Sequence, residues 1–117
     1  MSRKLDEAMA KELGYEVKVK RSRMPCEERY FIKNGDTEKP LPEYRTDGNA
    51  MLVLDREMRA REYRLELSGA GIICAQYQKF VKGKGLVCYT GYARDTMPEA
   101  VALAAYKALT GKEWIEP

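Results

Sequence analysis

The chain has 117 residues, of which 44% are apolar and 33% are charged, and its formal net charge is +3 at pH 7. This length suits one compact domain, and the composition excludes a disordered or low-complexity chain. The charge is too balanced to indicate a nucleic-acid or membrane partner by itself. We therefore expect a single domain over residues 1–117, with a short C-terminal tail over residues 111–117.

The residue types that most often perform chemistry are scarce. Histidine is absent, which removes the commonest general acid or base and the commonest metal ligand. The three cysteines, Cys26, Cys74 and Cys88, have no CxxC spacing, so neither a disulfide framework nor a zinc site is indicated. We expect no catalytic residue, no metal and no cofactor. The protein is therefore not expected to be an enzyme.

The chain also lacks the patterns of membrane insertion and export. No apolar run approaches the roughly 18 residues that a membrane span requires. The first seven residues turn acidic early and lack the apolar core of a signal peptide. Together with three unpaired thiols, this predicts a cytoplasmic protein without a membrane partner.

The first third of the chain is predicted to form a helix and two strands. A helix is expected over residues 3–13, where Leu5, Met9 and Leu13 recur at helical spacing. Residues 15–23 alternate apolar and charged side chains, which predicts a half-buried strand. A second short strand is expected at residues 30–32.

A second helix is predicted from Asp47, as its N-cap, to Glu62. Before it, Pro40 and Pro42 bracket a stretch that is neither a helix nor a central strand. The apolar stripe expected to face the core consists of Ala50, Met51, Val53, Leu54 and Met58.

Residues 63–92 read as a three-stranded meander, because the loops are short enough to force antiparallel pairing between neighbours. The last helix begins with Thr96 as N-cap and Glu99 three residues later, a capping box, and ends at Gly111. Its many alanines predict close packing against the sheet.

This order of elements predicts an α+β fold. We expect a single layered domain, with a mainly antiparallel sheet of four to five strands and three helices. The helices either all lie on one face of the sheet or divide between both faces as an α/β/α sandwich. Periodicity leaves both arrangements open.

Three segments of the chain follow the pattern of a known family. They are Leu5-Asp6 with Ala10 and Gly14, then Tyr44-Arg45-Thr46-Asp47, and finally Thr96-Met97-Pro98-Glu99-Ala100 before the alanine-rich stretch of residues 104–109. This pattern resembles the phage ABA sandwich domain family of small bacteriophage and prophage proteins. The resemblance covers the N-terminal helix and residues 44–110, and covers residues 15–43 poorly.

The resemblance implies an α/β/α sandwich and a viral origin, and it implies no established activity. The chain departs from the family pattern at two positions. Arg45 stands where the family often has serine, and Pro98 comes one residue later than in the family's Thr-Pro order. The first departure places a cation beside a helix start.

A tyrosine and an arginine precede each of the last two predicted helices. A helix N-terminus offers free N–H donors, arginine clamps phosphate, and tyrosine stacks on bases. If both starts share one edge of the sheet, they form an anion or nucleotide pocket; otherwise these residues only cap the helices and fix the loops. The candidate binding residues are Tyr44, Arg45, Asp47, Tyr92, Arg94 and Thr96.

A basic cluster in the first strand gives an alternative site. Lys18, Lys20, Arg21 and Arg23 are suited to follow a nucleic-acid backbone. The competing interpretation is a solvated strand edge, where lysines prevent aggregation.

The function predicted is that of a phage-encoded accessory protein that acts by binding in the cytoplasm of its host bacterium. It would inhibit a host defence protein or sequester a nucleotide signal. One alternative is a nucleic-acid-binding accessory factor. Another is a structural viral protein that forms a homo-oligomer.

Overall fold

The structure, a computed structural model, describes residues 3–23, 26–69, 71–93 and 96–115. In chain order its elements are helix α1 (Lys4–Glu12), strands β1 (Glu16–Arg23), β2 (Cys26–Asn34) and β3 (Thr37–Pro40), helix α2 (Gly48–Ala60), strands β4 (Arg64–Gly69), β5 (Ile73–Val81) and β6 (Gly85–Ala93), and helix α3 (Met97–Thr110).

The described strands form two separate antiparallel sheets. Sheet A has the order β1-β2-β3 and sheet B has the order β4-β5-β6. The α+β class and the C-terminal meander are confirmed, whereas the expected single sheet of four to five strands is wrong. Short connections pair neighbours within each set, and α2 separates the two sets along the chain.

Strand β3 was not predicted, because Pro40 argues against strand structure. The residue lies at the end of an edge strand that pairs only with β2. At such a position a missing N–H costs the sheet no hydrogen bond. The expectation that this segment is not a central strand is therefore confirmed.

Helix α3 is the centre of the core and lies directly on sheet B. Ala100, Val101, Ala104 and Ala105 are fully buried. A Cβ atom at Gly91 in β6 would lie 2.4 Å from the Ala100 carbonyl oxygen and 2.5 Å from the Ala104 nitrogen. The small side chains of α3 and the glycine beneath them therefore permit a backbone contact that no larger residue allows.

All three helices lie on the same side of sheet B. Helix α3 packs on β5 and β6, and both α1 and α2 pack on α3. The Tyr77 hydroxyl of β5 donates a hydrogen bond to Asp55 Oδ1 of α2, 3.1 Å away, on this side. On the opposite face of sheet B the described residues include no helix, so the layers differ from the expected α/β/α sandwich.

The predicted start of α2 is confirmed, since the Asp47 side chain accepts a hydrogen bond from the Asn49 N–H at 2.9 Å. Its predicted apolar stripe is only partly correct. Ala50, Leu54 and Met58 are buried, but Val53 is 46% exposed, and Asp55 is buried instead. The Asp55 carboxylate is satisfied there by Tyr77 and by Arg59, whose Nε is 2.9 Å away.

Candidate functional site

The starts of α2 and α3 contact each other in the structure. The Arg45 guanidinium donates to Glu99 Oε1, from Nη2 at 3.0 Å and from Nε at 3.2 Å. The Thr96 hydroxyl, which caps α3, donates to the Arg45 carbonyl oxygen at 3.3 Å. These contacts join the two helix starts.

The polar groups around these two helix starts bond to one another. The Arg45 N–H donates to Asp6 Oδ1 at 3.0 Å, and Arg3 Nε lies 2.9 Å from Asp6 Oδ2. Burial raises the pKa of the Asp6 carboxyl, and the bonds from Arg45 and Arg3 offset part of that shift. Asp6 of α1 and Glu99 of α3 therefore already engage the donor groups and the positive charge with which this region would bind an anion.

The tyrosines of the candidate pocket are separated. Tyr44 is only 1% exposed, so its ring belongs to the core, and burial raises the pKa of its hydroxyl. Tyr92 is exposed on β6 and pairs with Cys74, on the face of sheet B that points away from α3. Arg94 lies outside the described residues. The structure therefore brings Arg45 and Thr96 together, with Asp47 at the α2 cap.

The basic cluster of β1 is divided by the pleat of the strand. Lys18 and Lys20 lie on one face of sheet A, opposite Phe31 and Arg29, while Arg21 and Arg23 lie on the other face. Lys20 Nζ is 4.6 Å from the Phe31 ring centroid and pairs with Glu38. Arg21 pairs with Glu28 at 3.1 Å.

A groove that the sequence did not predict lies between sheet A and α2. Its volume is about 320 Å³. Its exposed apolar surface comes from Tyr15, Pro40, Pro42 and Val53, and the buried side chains of Ile32 and Tyr44 lie at its base. Asn34, Thr37 and Lys39 add hydrogen-bonding groups along the sheet A side. We call it the β3–α2 groove.

The loop that forms one wall of the β3–α2 groove is anchored at Leu41. This side chain is buried, its N–H donates to the Tyr30 carbonyl oxygen at 2.9 Å, and its own carbonyl accepts from Arg3 Nη2 at 2.7 Å. Because Leu41 points into the core, Pro40 and Pro42 on either side of it line the groove.

The Tyr15 wall is held by a hydrogen bond to α2. The Tyr15 hydroxyl donates to Glu57 Oε1 at 3.0 Å, across the gap between the start of sheet A and the helix. Burial and this contact both raise the pKa of the Tyr15 hydroxyl. One turn earlier on α2, Val53 supplies the opposite, apolar part of the lining. Both walls of the groove are therefore held in place by hydrogen bonds to the rest of the fold.

The sequence contained only an indirect signal for the groove. Tyr15 and Val53 were assigned to apolar stripes facing a core, and two prolines were read as a break. Each of these residues instead has part of its surface turned to the groove. The available signal was a set of apolar residues next to the stretch bracketed by Pro40 and Pro42. No predicted element was assigned to cover them.

Among the described residues, no cluster of three or more cysteine, aspartate or glutamate side chains is arranged to hold a metal ion. None of the described helices has both the length and the apolar character needed to cross a membrane.

Comparison with known proteins provides no family assignment. No family model matches the chain, no curated protein matches it, and no solved structure matches it.

Proposed function

We propose that the protein acts by binding an extended segment of another protein in the β3–α2 groove. The observation that supports this most is the groove itself, an open apolar concavity of about 320 Å³ between a sheet and a helix. Binding sites are commonly apolar concavities of roughly 300–1,000 Å³ with a few polar groups that set orientation. The β3–α2 groove has this composition.

The lining favours a peptide with apolar side chains and one acidic residue. The rings of Tyr15, Pro40 and Pro42 offer flat apolar surface of the kind that receives extended peptides. Asn34 and Thr37 supply side-chain groups for peptide N–H and C=O groups. Lys39 is an exposed cation beside them and suits a carboxylate.

The proposal of a viral accessory role for this binding rests on the three sequence segments that resemble the phage sandwich family, since no family model matches the chain. In that role the bound segment belongs to a host protein, and occupancy of the groove inhibits that protein. Sequestration of a nucleotide at the α2 and α3 starts remains a weaker proposal, because Arg45 is already paired with Glu99 and Tyr44 is buried.

The test is selection of random peptides displayed on yeast against the purified protein, followed by affinity measurement with synthetic versions of the enriched peptides. We expect apolar peptides carrying an acidic residue to be enriched. Their affinity should fall at least tenfold with Val53→Arg, which narrows the groove. Leu52→Arg is the matched control, because Leu52 is also exposed on α2 but lies outside the lining.

Two outcomes would overturn the proposal. One is that the wild-type protein enriches no peptide beyond those that the Val53→Arg variant enriches. The other is that Val53→Arg and Leu52→Arg weaken the peptides equally, because binding would then depend on helix charge and not on the groove.

A second candidate function, single-stranded nucleic-acid binding, is favoured by the face of sheet A that carries Lys18 and Lys20. There Lys18 lies opposite Phe31, and Lys20 lies beside the same ring and opposite Arg29. An aromatic side chain among cations is the arrangement that single-strand binders use. Fluorescence anisotropy with a labelled oligonucleotide should then show affinity that falls with salt and with Lys18→Ala; salt-independent binding or no binding would reject this candidate.

A further inference from the structure

The face of sheet B that points away from α3 carries exposed apolar side chains at its two ends. Residues that alternate with Gly91 and Tyr77 point to this side, which we call the outer face. The strand register pairs Phe80 with Leu86 at one end and Cys74 with Tyr92 at the other. Phe80 is 74% exposed and Leu86 is 60% exposed.

The middle of the outer face is polar but nearly neutral. Its charged side chains in β4 are one of each sign, Arg64 and Glu66. Gln78 Nε2 donates to Glu66 Oε2 at 3.0 Å and to Gln76 Oε1 at 2.7 Å, so these polar side chains bond to one another across the strands. A surface without net charge can meet an identical surface without repulsion.

The outer face also has a shape that complements itself. A shallow hollow of about 390 Å³ lies at the end away from Phe80, and Ser68, Cys74 and Gln76 contribute to its lining. Phe80 protrudes three residues to one side of Tyr77 along β5, and Cys74 lies three residues to the other side. On β6, Leu86 lies three residues before Tyr89 and Tyr92 lies three residues after it, and Tyr89 pairs with Tyr77.

We propose that two copies of this chain pack the outer faces of their B sheets against each other. The two-fold axis that relates the copies lies between these two faces. It runs perpendicular to the strands at the level of Tyr77. This rotation sets Phe80 of each copy over the hollow at Cys74 and sets Leu86 over Tyr92. It also separates the turn lysines, Lys82 and Lys84, to opposite ends. A two-fold axis along the strands would place those lysines side by side.

The area of the outer face suits a weak, reversible dimer. Strands of this length and spacing cover roughly 30 Å by 15 Å. In projection this is roughly 450 Å², about half of the ~800 Å² that one partner contributes to a standard interface, so we expect a reversible monomer–dimer equilibrium. Two sheets stacked face to face about 10 Å apart form a sandwich of a common kind.

The test is analytical ultracentrifugation of the full chain over a range of protein concentrations. We expect a monomer–dimer equilibrium for the wild type and at least a tenfold weaker association for Leu86→Arg. Leu52→Arg is the matched control, because Leu52 has the same 60% exposure but lies on α2, and this variant should dimerise as the wild type does. Circular dichroism establishes that each variant is folded.

A second measurement follows the thiol of Cys88, which is exposed on the outer face beside Gln78. Its rate of alkylation by iodoacetamide should fall as the protein concentration rises, and Leu86→Arg should abolish that dependence. A wild-type chain that is monomeric at every concentration, equal loss of association in Leu86→Arg and Leu52→Arg, or a Cys88 rate independent of concentration would each overturn the proposal.

Discussion

Arg45 and Glu99 are joined by two hydrogen bonds to one carboxylate oxygen, at 3.0 and 3.2 Å, and this pair connects the start of α2 to the start of α3. Both side chains are about four-fifths buried, at 21% and 23% exposure. The pair therefore fixes the relative position of two helices that belong to different parts of the chain.

Arg45→Ala should lower the free energy of unfolding by about 1–2 kcal/mol, because it leaves the Glu99 carboxylate without its donor in a partly buried site. A double-mutant cycle with Glu99→Ala, followed by urea denaturation, measures the coupling. Additive effects would contradict a structural pair. A nucleotide seen by native mass spectrometry on the wild type and lost in Arg45→Ala would instead support the nucleotide pocket.

Gly91→Ala should destabilise the protein by about 3 kcal/mol or more, because the added methyl group would overlap the α3 backbone at Ala100 and Ala104. Gly48→Ala is the matched control. A Cβ at Gly48, in the first turn of α2, meets open space, so this change should be neutral or slightly stabilising. Thermal denaturation of both variants tests the close contact; equal melting temperatures would contradict it.

Tyr77→Phe should cost about 1–2 kcal/mol, because the buried Asp55 carboxylate loses one of its donors while the ring keeps its packing. Burial and the neighbouring Asp55 raise the pKa of the Tyr77 hydroxyl, so it remains a donor throughout the stable pH range. Tyr92→Phe, an exposed tyrosine of the same sheet, should change stability little. Chemical denaturation compares the two, and equal losses would show that the Asp55 bond contributes nothing.

The Asp6 carboxyl should titrate above its ordinary value, because its burial disfavours the charged form. A folded-state pKa above the unfolded value means that the native state binds the proton more tightly. The contribution of Asp6 to stability should therefore decrease as pH rises from about 3.9, the ordinary value, through the raised pKa. The free energy of unfolding of the wild type minus that of the Asp6→Asn variant should fall as pH rises through this window. A difference that rises with pH would contradict the raised pKa.

Local signals in the sequence predicted the three described helices and all described strands except β3, but they predicted the assembly of the sheets less well. Asp47 and Thr96 were identified as caps from the nearest few residues, and both caps are present. The division into two sheets depends on which strand edges meet, and period-two alternation carries no information about that. The same limit explains Val53, whose helical spacing matches the core stripe although the neighbouring loop leaves it at the wall of a groove.

The candidate site was the least predictable part. Sequence reasoning left open whether the two helix starts lie together. The structure brings Arg45 beside Thr96, and Glu99, expected to fold back in a capping box, accepts hydrogen bonds from the Arg45 guanidinium. The β3–α2 groove arises from residues that are distant in the chain, brought together by the anchoring of Leu41 in the core.

The most direct test of groove binding is a titration of ¹⁵N-labelled protein with an enriched peptide, followed by two-dimensional NMR. Chemical-shift changes are expected to cluster at the amides of Tyr15, Lys39 and Val53, with a saturable dependence on peptide concentration. Changes centred on Lys18 and Phe31, or on Phe80 and Leu86, would contradict the proposal and place the binding surface on a face of one of the two sheets.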